Sequence, residues 1–319
     1  MDSATTYAVF AEREVKGYSP TYFEWASSIA QDRAVLALIE GLPPRCRQPN
    51  LVFAACRFLG AEPGSYATFR EFLLAQWPAI ADIALERRTQ TNEPGRCAVL
   101  LPILASLPQP VALLEVGASA GLCLYPDCYS YLYDASHRVD PPEGASEVLL
   151  ACATRGTPPL PDAVPTVVWR AGIDLNPLDV RDEATTRWLA ALVWPDQAFR
   201  LARLERAVDI ARSDPPRLVE GDLVELLRGV ANTAPRDATL VIFHSAVLTY
   251  LDVDRRRAFV DQVRSIPVTW ISNEGSGVID TIAPVSRWAH DNNPTPFVVA
   301  RDGVPVALGG AHGQTLDWL

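Results

Sequence analysis

The sequence predicts an α/β fold, a mostly parallel sheet with helices on both faces, an antiparallel C-terminal hairpin and an N-terminal helical subdomain. Three observations lead to this prediction. Short apolar segments bounded by Pro, Gly or polar residues recur after residue 110, as buried parallel strands do. Segments with helical spacing of apolar residues lie between them. The apolar segment 297–308 has Asp-Gly at its centre, which is typical of a hairpin.

Composition and charge limit the classes of partner. The chain has 319 residues, with 49% hydrophobic and 21% charged residues and a formal net charge of −10. Nucleic-acid backbones and anionic membranes attract basic surfaces, so neither is expected as the main partner. We expect a small-molecule substrate, and nothing in the sequence indicates an oligomeric state.

The distribution of apolar residues and cysteines predicts a cytoplasmic location. The first nineteen residues mix acidic and basic side chains around no apolar core, unlike a secretory signal. No apolar stretch approaches the length of a membrane span. The six cysteines include no C-x-x-C pair and are expected to be buried thiols.

Residues 1–105 are predicted to form the helical subdomain, or lid, and residues 106–319 the α/β domain. Helical spacing recurs through the first segment, and no strand pattern interrupts it. Asn50 is a candidate N-cap for one of these helices. In the second domain, residues 134–165 are rich in Pro and Gly and are expected to form an insertion.

The α/β domain begins with an apolar strand, Val111 to Leu114, which is followed by Glu115 and the turn Gly-Ala-Ser-Ala-Gly at 117–121. A helix is expected to start after this turn. Its small residues would let a nucleotide-type cofactor lie against the backbone. The same residues match G-x-S-x-G, the nucleophile elbow of serine hydrolases, with Ser119 at its tip. A tight turn without any ligand is the third interpretation.

The next two predicted strands also end in acidic residues. Residues 167–174 form an apolar strand ending at Asp174, where an acidic side chain can accept hydrogen bonds from ribose hydroxyls. Asp179 is the alternative for that role. Residues 218–223 form a short strand ending in Gly-Asp, and Asp222 could accept the adenine amino group or cap a helix.

Two further strands, 239–245 and 268–274, supply candidate catalytic groups. In open α/β sheets ligands bind at the carboxyl ends of the strands, where His244 is expected to lie. His244 is the first candidate for a general base, and Glu274 and Tyr250 are the weaker ones.

A polar string at residues 87–96 precedes a predicted helix at 99–107. It could be a solvated loop with an N-cap at Asn92. Alternatively it folds over the site, with Asn92, Glu93 and Arg96 as substrate contacts. Tyr129, from a tyrosine-rich segment after the glycine turn, is a further candidate substrate contact.

Together these motifs resemble those of Rossmann-type S-adenosylmethionine-dependent methyltransferases. Residues 115–121 resemble their first motif, with Ser119 where a second Gly is usual, and residues 172–174 and 221–223 resemble the next two. The resemblance implies a Rossmann-like fold and S-adenosylmethionine as cofactor. The residues that it implies for cofactor binding are Glu115, Gly117, Ala118, Ser119, Gly121, Asp174, Leu175, Asp222, Leu223 and His244.

The chain also resembles a bacterial family known as domain of unknown function 2332. The matching segments are 90–96, 117–122, 172–179 and 194–197, within a stretch from about residue 85 to 275. Where the family pattern has Asn after Gly121-Leu122, this chain has Cys123. This resemblance implies no substrate.

Three functions are therefore compared. The first is a methyltransferase acting on an unidentified small-molecule acceptor. The second is a serine hydrolase with Ser119 as nucleophile and Asp280 or Asp302 with His312 completing a triad. The third is a non-catalytic protein that binds S-adenosylmethionine or a nucleoside. No metal site is expected, because the four histidines are far apart in sequence.

Overall fold

The computed structural model describes residues 2–90, 92–282 and 296–319. The chain forms two compact units, one of Met1–Thr91 with Arg181–Glu205 and one of Asn92–Val180 with Arg206–Leu319. This division differs from the predicted boundary after residue 105. The helix Cys97–Ala105 belongs to the second unit because its apolar side chains pack against the sheet. The helical segment 181–205 belongs to the first.

The helices and strands of the described residues alternate along the second half of the chain. The α-helices are α1 (Ser3–Phe10), α2 (Pro20–Ile29), α3 (Arg33–Glu40), α4 (Pro49–Phe58), α5 (Tyr66–Glu86), α6 (Cys97–Ala105), α7 (Glu183–Leu192), α8 (Ala198–Ser213), α9 (Leu223–Ala231) and α10 (Val253–Arg264). The strands are β1 (Val111–Val116), β2 (Ser130–Tyr133), β3 (His137–Val139), β4 (Leu149–Arg155), β5 (Val167–Asp174), β6 (Arg217–Glu220), β7 (Thr239–Ser245), β8 (Thr269–Gly275), β9 (Phe297–Arg301), β10 (Val304–Gly309) and β11 (Thr315–Trp318).

An aromatic core holds the helices of the first unit together. Trp25 of α2 stacks on Phe69 of α5 with ring centroids 3.9 Å apart, and both rings are almost fully buried. The predicted helical character of this region is confirmed. Asn50 is not an N-cap, because α4 already begins at Pro49, whose fixed φ suits the first helical position. The side chain of Asn50 instead accepts a hydrogen bond from Trp194.

The strands of the second unit form one eleven-stranded sheet in the order β3-β2-β4-β11-β10-β9-β8-β7-β1-β5-β6. Pairing is parallel among β6, β5, β1, β7 and β8, and antiparallel along β8, β9, β10 and β11. The predicted mostly parallel sheet with antiparallel C-terminal strands is therefore confirmed. The hairpin between β9 and β10 turns at Asp302 and Gly303, both with positive φ, as a tight two-residue turn requires.

Helices cover both faces of this sheet. On one face, Leu227 of α9 and Phe259 of α10 join a core with Leu114 of β1 and Ile242 of β7. On the opposite face α6 packs against β4 and β9. Because neighbouring residues of a strand point to opposite faces, Glu115 lies on the α6 face.

The chain after the glycine turn differs from the prediction. No α-helix starts there; a single 3₁₀ turn, Leu122–Leu124, leads to β2. Tyr131 and Tyr133 of β2 are fully buried, and aromatic side chains favour a strand over a helix. The insertion at 134–165 contains β3 and β4, which extend the sheet beyond β11. Among the described residues, no helix is both long and apolar enough to span a membrane.

Candidate functional site

The sheet has a switch point between β1 and β7. From β1 the chain moves outward to β5 and β6 on one side and later to β7 and β8 on the other. The crevice at the carboxyl ends of strands at such a point is the usual ligand site of open α/β sheets. The turn at 117–121 directly follows β1 and so lies at this crevice.

The turn holds a non-glycine residue in a left-handed conformation. Ser119 has a φ of 52°, between Gly117 at 72° and Gly121 at 73°. Its N–H donates to Asp174 Oδ2 over 2.8 Å, and its hydroxyl is buried with no hydrogen-bond partner among the described residues. Such a conformation costs about 1–3 kcal/mol and recurs at functional sites.

The glycines of the turn meet protein atoms where the prediction placed a cofactor. A Cβ at Gly117 would lie 2.6 Å from Cγ1 of Val247, and one at Gly121 would lie 2.9 Å from Cγ of Pro216. A Cβ at Gly172 would overlap Cβ of Ala118. Contacts with neighbouring protein atoms are therefore sufficient to explain why the residues at 117, 118 and 121 are small.

Asn92 fixes the turn from the preceding segment. Its Nδ2 donates to the carbonyl of Ala118 over 3.1 Å, and its Oδ1 accepts from the N–H of Leu122 over 2.8 Å. Both ends of the side-chain amide are thus used, so Asn92 is neither the predicted N-cap nor a free substrate contact. It positions the backbone on both sides of Ser119.

Asp174 and Leu175 lie beside the turn with the exposure that a ligand contact needs. Asp174 Oδ1 accepts from the N–H of Asn176 over 2.8 Å, and the side chain is only partly buried. Each carboxylate oxygen has lone pairs for a second donor. Leu175 is 70% exposed, an unusual position for a large apolar side chain. Both side chains are therefore accessible from solvent at the end of β5.

Asp222 and Leu223 have structural roles. Asp222 is the N-cap of α9, accepts from the N–H of Val224 over 2.8 Å and forms an ion pair with Arg255. Leu223 is buried in the core beneath α9. The helix-cap alternative therefore accounts for Asp222.

The predicted general base, His244, has both ring nitrogens engaged and is fully buried. The indole N–H of Trp270 lies 3.0 Å from Nε2; an indole only donates, so Nε2 is an acceptor and the ring proton is on Nδ1. Nδ1 then donates to Glu274 Oε1 over 2.7 Å. These contacts contradict the predicted role of His244 as a base and as a cofactor contact.

Glu274 is tied to the segment that follows β7, whereas Tyr250 is free at the surface. Oε1 of Glu274 also accepts from the N–H groups of Val247 and Leu248, over 2.9 and 3.1 Å. Glu274 therefore shapes the backbone at the end of β7, and its predicted role as a base is not supported. Tyr250, 79% exposed, is the predicted catalytic side chain that solvent reaches.

Arg96 joins the ends of two strands on the α6 face. Its Nε donates to the carbonyl of Ala311 over 3.1 Å and its Nη1 to the carbonyl of Ser245 over 3.0 Å. Glu93 is buried; its Oε1 accepts from the N–H of Gly95 over 3.0 Å and its Oε2 lies 4.0 Å from His312 Nδ1. Residues 92–96 of the polar string therefore contact the glycine turn and the ends of these strands, and their role as substrate contacts stays a prediction.

Glu115 is a buried acid at the end of β1. It is 4% exposed, and its Oε2 has no hydrogen-bond partner among the described residues. Burial raises the pKa of Glu115 well above its usual range; the Cys123 thiol and Asp174 add to the rise, and Arg96 opposes it. Glu115 therefore keeps its proton to a higher pH than an exposed glutamate does.

The raised pKa of Glu115 makes stability fall with pH. Above about pH 4.3 the unfolded chain releases this proton and the folded chain keeps it, so the unfolding free energy declines as pH rises towards the folded pKa. Glu115→Gln removes this contribution to the pH dependence of the unfolding free energy. We expect the variant to gain stability relative to wild type between pH 5 and pH 7 in urea titrations, with exposed Glu71→Gln as control. A constant difference across that range contradicts the assignment.

Tyr129 is not placed to contact a substrate. It is fully buried, and its hydroxyl donates to the carbonyl of Leu122 over 2.6 Å. Tyr131 and Tyr133 likewise donate to main-chain carbonyls. The tyrosine-rich segment therefore anchors β2 and the 3₁₀ turn.

The contacts do not assemble a hydrolase triad around Ser119. Asp280 pairs with Arg257, Asp302 accepts from the N–H of Trp270 over 2.8 Å, and His312 lies by Glu93. None of the contacts within residues 2–90, 92–282 and 296–319 joins Ser119 to a histidine. His290 lies outside the described residues.

Sequence reasoning missed Asn273, the residue before Glu274. Its side chain is fully buried, and Nδ2 donates to Ser245 Oγ over 2.7 Å. The available signal was alternation: in a strand, Asn273 and Glu274 point to opposite faces. In the described parts of the chain, no three His, Cys, Asp or Glu side chains are grouped so that they could hold a metal ion.

Comparison with known proteins places the chain in a family. No curated protein and no solved structure matches it. One family, described as "Uncharacterized protein conserved in bacteria (DUF2332)", matches residues 4–318. The match spans nearly the whole sequence, including the turn at 117–121, Asp174 and the polar string. The chain therefore belongs to the DUF2332 family of bacterial proteins.

Proposed function

We propose that the protein is an S-adenosylmethionine-dependent methyltransferase that acts on a small-molecule acceptor in the cytoplasm. The observation that carries the proposal is the position of Asp174. This partly exposed carboxylate ends β5, beside the turn that follows β1, at the switch point of the sheet. A carboxylate there can accept hydrogen bonds from both hydroxyls of a ribose.

Two side chains fit the nucleoside half of the cofactor. Asp174 would hold the ribose, and Leu175 offers an exposed apolar surface for the base. The buried, unpartnered hydroxyl of Ser119 is a further polar atom next to Asp174. Asp222 and His244, assigned to the cofactor by resemblance, are used within the protein, so the proposal does not depend on them.

The chain's own residues would act by holding and orienting the reactants. S-adenosylmethionine supplies an electrophilic methyl group on a sulfonium, and in-line transfer depends chiefly on positioning. Asn92 holds the turn in place, and Glu274 holds the backbone after β7. Tyr250, exposed on that backbone segment, is the remaining candidate for contact with the acceptor.

The proposal is tested by calorimetric titration of the purified protein with S-adenosylmethionine. We expect micromolar binding and a tenfold or greater loss in Asp174→Asn, because charge-assisted hydrogen bonds contribute roughly 1.5–3 kcal/mol. Leu175→Ala should weaken binding roughly threefold to tenfold through lost apolar contact. The matched control, Asp237→Asn, alters an exposed carboxylate that precedes β7 at the other end of the sheet, and should bind as wild type.

Two further measurements separate the alternatives. Asp174 also accepts from main-chain N–H groups, so thermal unfolding must show that Asp174→Asn remains folded. Leu175→Ala changes a surface side chain and avoids this ambiguity. A fluorophosphonate probe that labels wild type but not Ser119→Ala would favour the hydrolase. Absence of S-adenosylmethionine binding by wild type, or unchanged binding by both variants, would refute the proposal.

A further inference from the structure

Three polar side chains lie on three neighbouring strands, β1, β7 and β8, on the α6 face of the sheet. Glu115 of β1 is in register with Phe243 of β7, two residues before Ser245. Ser245 is in register with Asn273 of β8. Register partners and every second residue point to the same face, so these side chains lie on one side of the sheet. We call Glu115, Ser245 and Asn273 the polar row.

The polar row is covered by the segment that contains Arg96 and α6. A Cβ at Gly309 of β10 would lie 3.4 Å from Cγ1 of Val99 in α6 and 3.5 Å from Oδ1 of Asn273. Arg96 donates to the carbonyl of Ser245, and its charge also acts on Glu115. The row is thus enclosed by secondary structure on both sides, near the carboxyl ends of β1, β7 and β8.

Two polar oxygen atoms in the polar row lack hydrogen-bond partners in the described parts of the chain. Oε2 of Glu115 and Oδ1 of Asn273 have no hydrogen-bond partner among the described residues, and these residues are only 4% and 0% exposed. Leaving a buried polar group unpaired costs about 1–3 kcal/mol. Two such groups in one enclosed row point to a bound molecule that supplies the missing donors.

Several protein donors around the row are already engaged. Nε and Nη1 of Arg96 donate to two main-chain carbonyls. The thiol of Cys123 donates to the carbonyl of Glu93, and Nδ2 of Asn273 donates to Ser245 Oγ. An anionic ligand would not suit the row, because Glu115 would repel it as a carboxylate.

We propose that the polar row is a binding site for the amine group of a small molecule, with Glu115 as the principal acceptor and Asn273 as the second. An ammonium group has three N–H donors and a hydroxyl has one, so an amine matches the two unpaired oxygen atoms better. A positive charge also pairs with the Glu115 carboxylate. That this amine is the methyl acceptor rests on the proposed function.

Amine binding at this site favours release of a proton. Burial raises the pKa of Glu115 and so favours the protonated acid in the free protein, whereas Glu115 pairs with an ammonium group as a carboxylate. The O–H bond of Glu115 breaks, the proton passes to the buffer, and the ion pair forms. Cys123, Arg96 and Asp174 act on Glu115 in both states, so the amine is the added charge that shifts the balance.

The test is calorimetric titration of the full chain with 1-butylammonium chloride at pH 7, in phosphate and in MOPS, neither of which is a primary amine. Binding should release protons, seen as a dependence of the binding enthalpy on the ionisation enthalpy of the buffer. Glu115→Gln should remove this dependence and weaken binding roughly tenfold to a hundredfold, because a charge-assisted hydrogen bond is lost. Tetramethylammonium, which has no N–H donor, should not bind at this site.

The controls keep the two proposals separate. Glu71→Gln changes an exposed glutamate of the other unit and should behave as wild type. The titrations are repeated with saturating S-adenosylhomocysteine, so that a site completed only by a nucleoside is also detected. No butylammonium binding in either condition, or binding without proton release, overturns the amine site. S-adenosylmethionine binding without amine binding refutes only this inference, and the reverse result refutes only the methyltransferase.

Discussion

Gly313→Ala is expected to destabilise the second unit by about 3–5 kcal/mol, because steric overlap adds to left-handed strain. Gly313 has a φ of 78°, and a Cβ there would overlap the carbonyl of Gly95 and lie 2.9 Å from the nitrogen of Arg96. The atoms in its way belong to the backbone, which cannot rotate aside. The turn before β11 would have to move away from the segment that holds Glu93 and Arg96.

A second glycine with a similar φ separates the cost of the steric overlap at position 313 from the cost of the left-handed conformation. Gly277 has nearly the same φ, 81°, and no atom lies within 4 Å of its Cβ position. Gly277→Ala should therefore cost only the left-handed strain, about 1–2 kcal/mol. Equilibrium denaturation in guanidinium, followed by circular dichroism, gives the two values. Equal losses in the two variants would mean that Gly313 and Gly95 do not pack together.

Glu274→Ala is expected to lower the free energy of unfolding by about 3–5 kcal/mol, the second large effect of a single substitution. A single buried oxygen, Oε1, accepts from His244 Nδ1 and from the N–H groups of Val247 and Leu248. Alanine would leave three donors without their partner, two of them buried, and no water reaches the side chain of His244. The backbone after β7 would lose its fixed shape.

The control for Glu274 is an amide of the same shape. Glu274→Gln keeps an oxygen at the Oε1 position and places its NH₂ at Oε2, which has no partner in the described structure. We expect this variant to lose less than half of what Glu274→Ala loses. Hydrogen exchange of the Val247 and Leu248 amides should accelerate strongly in Glu274→Ala only. Unchanged exchange there would show that these hydrogen bonds do not form in solution.

The sequence predicts the sheet well because its central strands are apolar runs. Segments such as Val111–Val116 are buried on both faces, and their hydrophobicity alone identifies them. The segment after the glycine turn was predicted as a helix because a strand and a glycine turn usually precede one. Tyr131 and Tyr133 pack as a strand, and this depends on partners in β4 that are distant in sequence.

The sequence predicts where the residues of the candidate site lie better than it predicts what each side chain does. Strand ends identified Glu115, Asp174, His244 and Glu274, because parallel strands bring their carboxyl ends together. Whether such a side chain is free depends on its neighbours in space. The indole of Trp270 occupies the second nitrogen of His244, and no spacing in the sequence reveals that contact.

The parallel pairing of β4 with β11 has a consequence for biosynthesis. Ala153 of β4 pairs with Thr315 of β11. The ribosome therefore synthesises β11, the partner strand of β4, roughly 160 residues after β4 itself. Until then one edge of β4 has no neighbour, and an open strand edge invites pairing with other nascent chains. Synthesis of β11, rather than emergence of β4, therefore sets the earliest moment at which this part of the sheet can close.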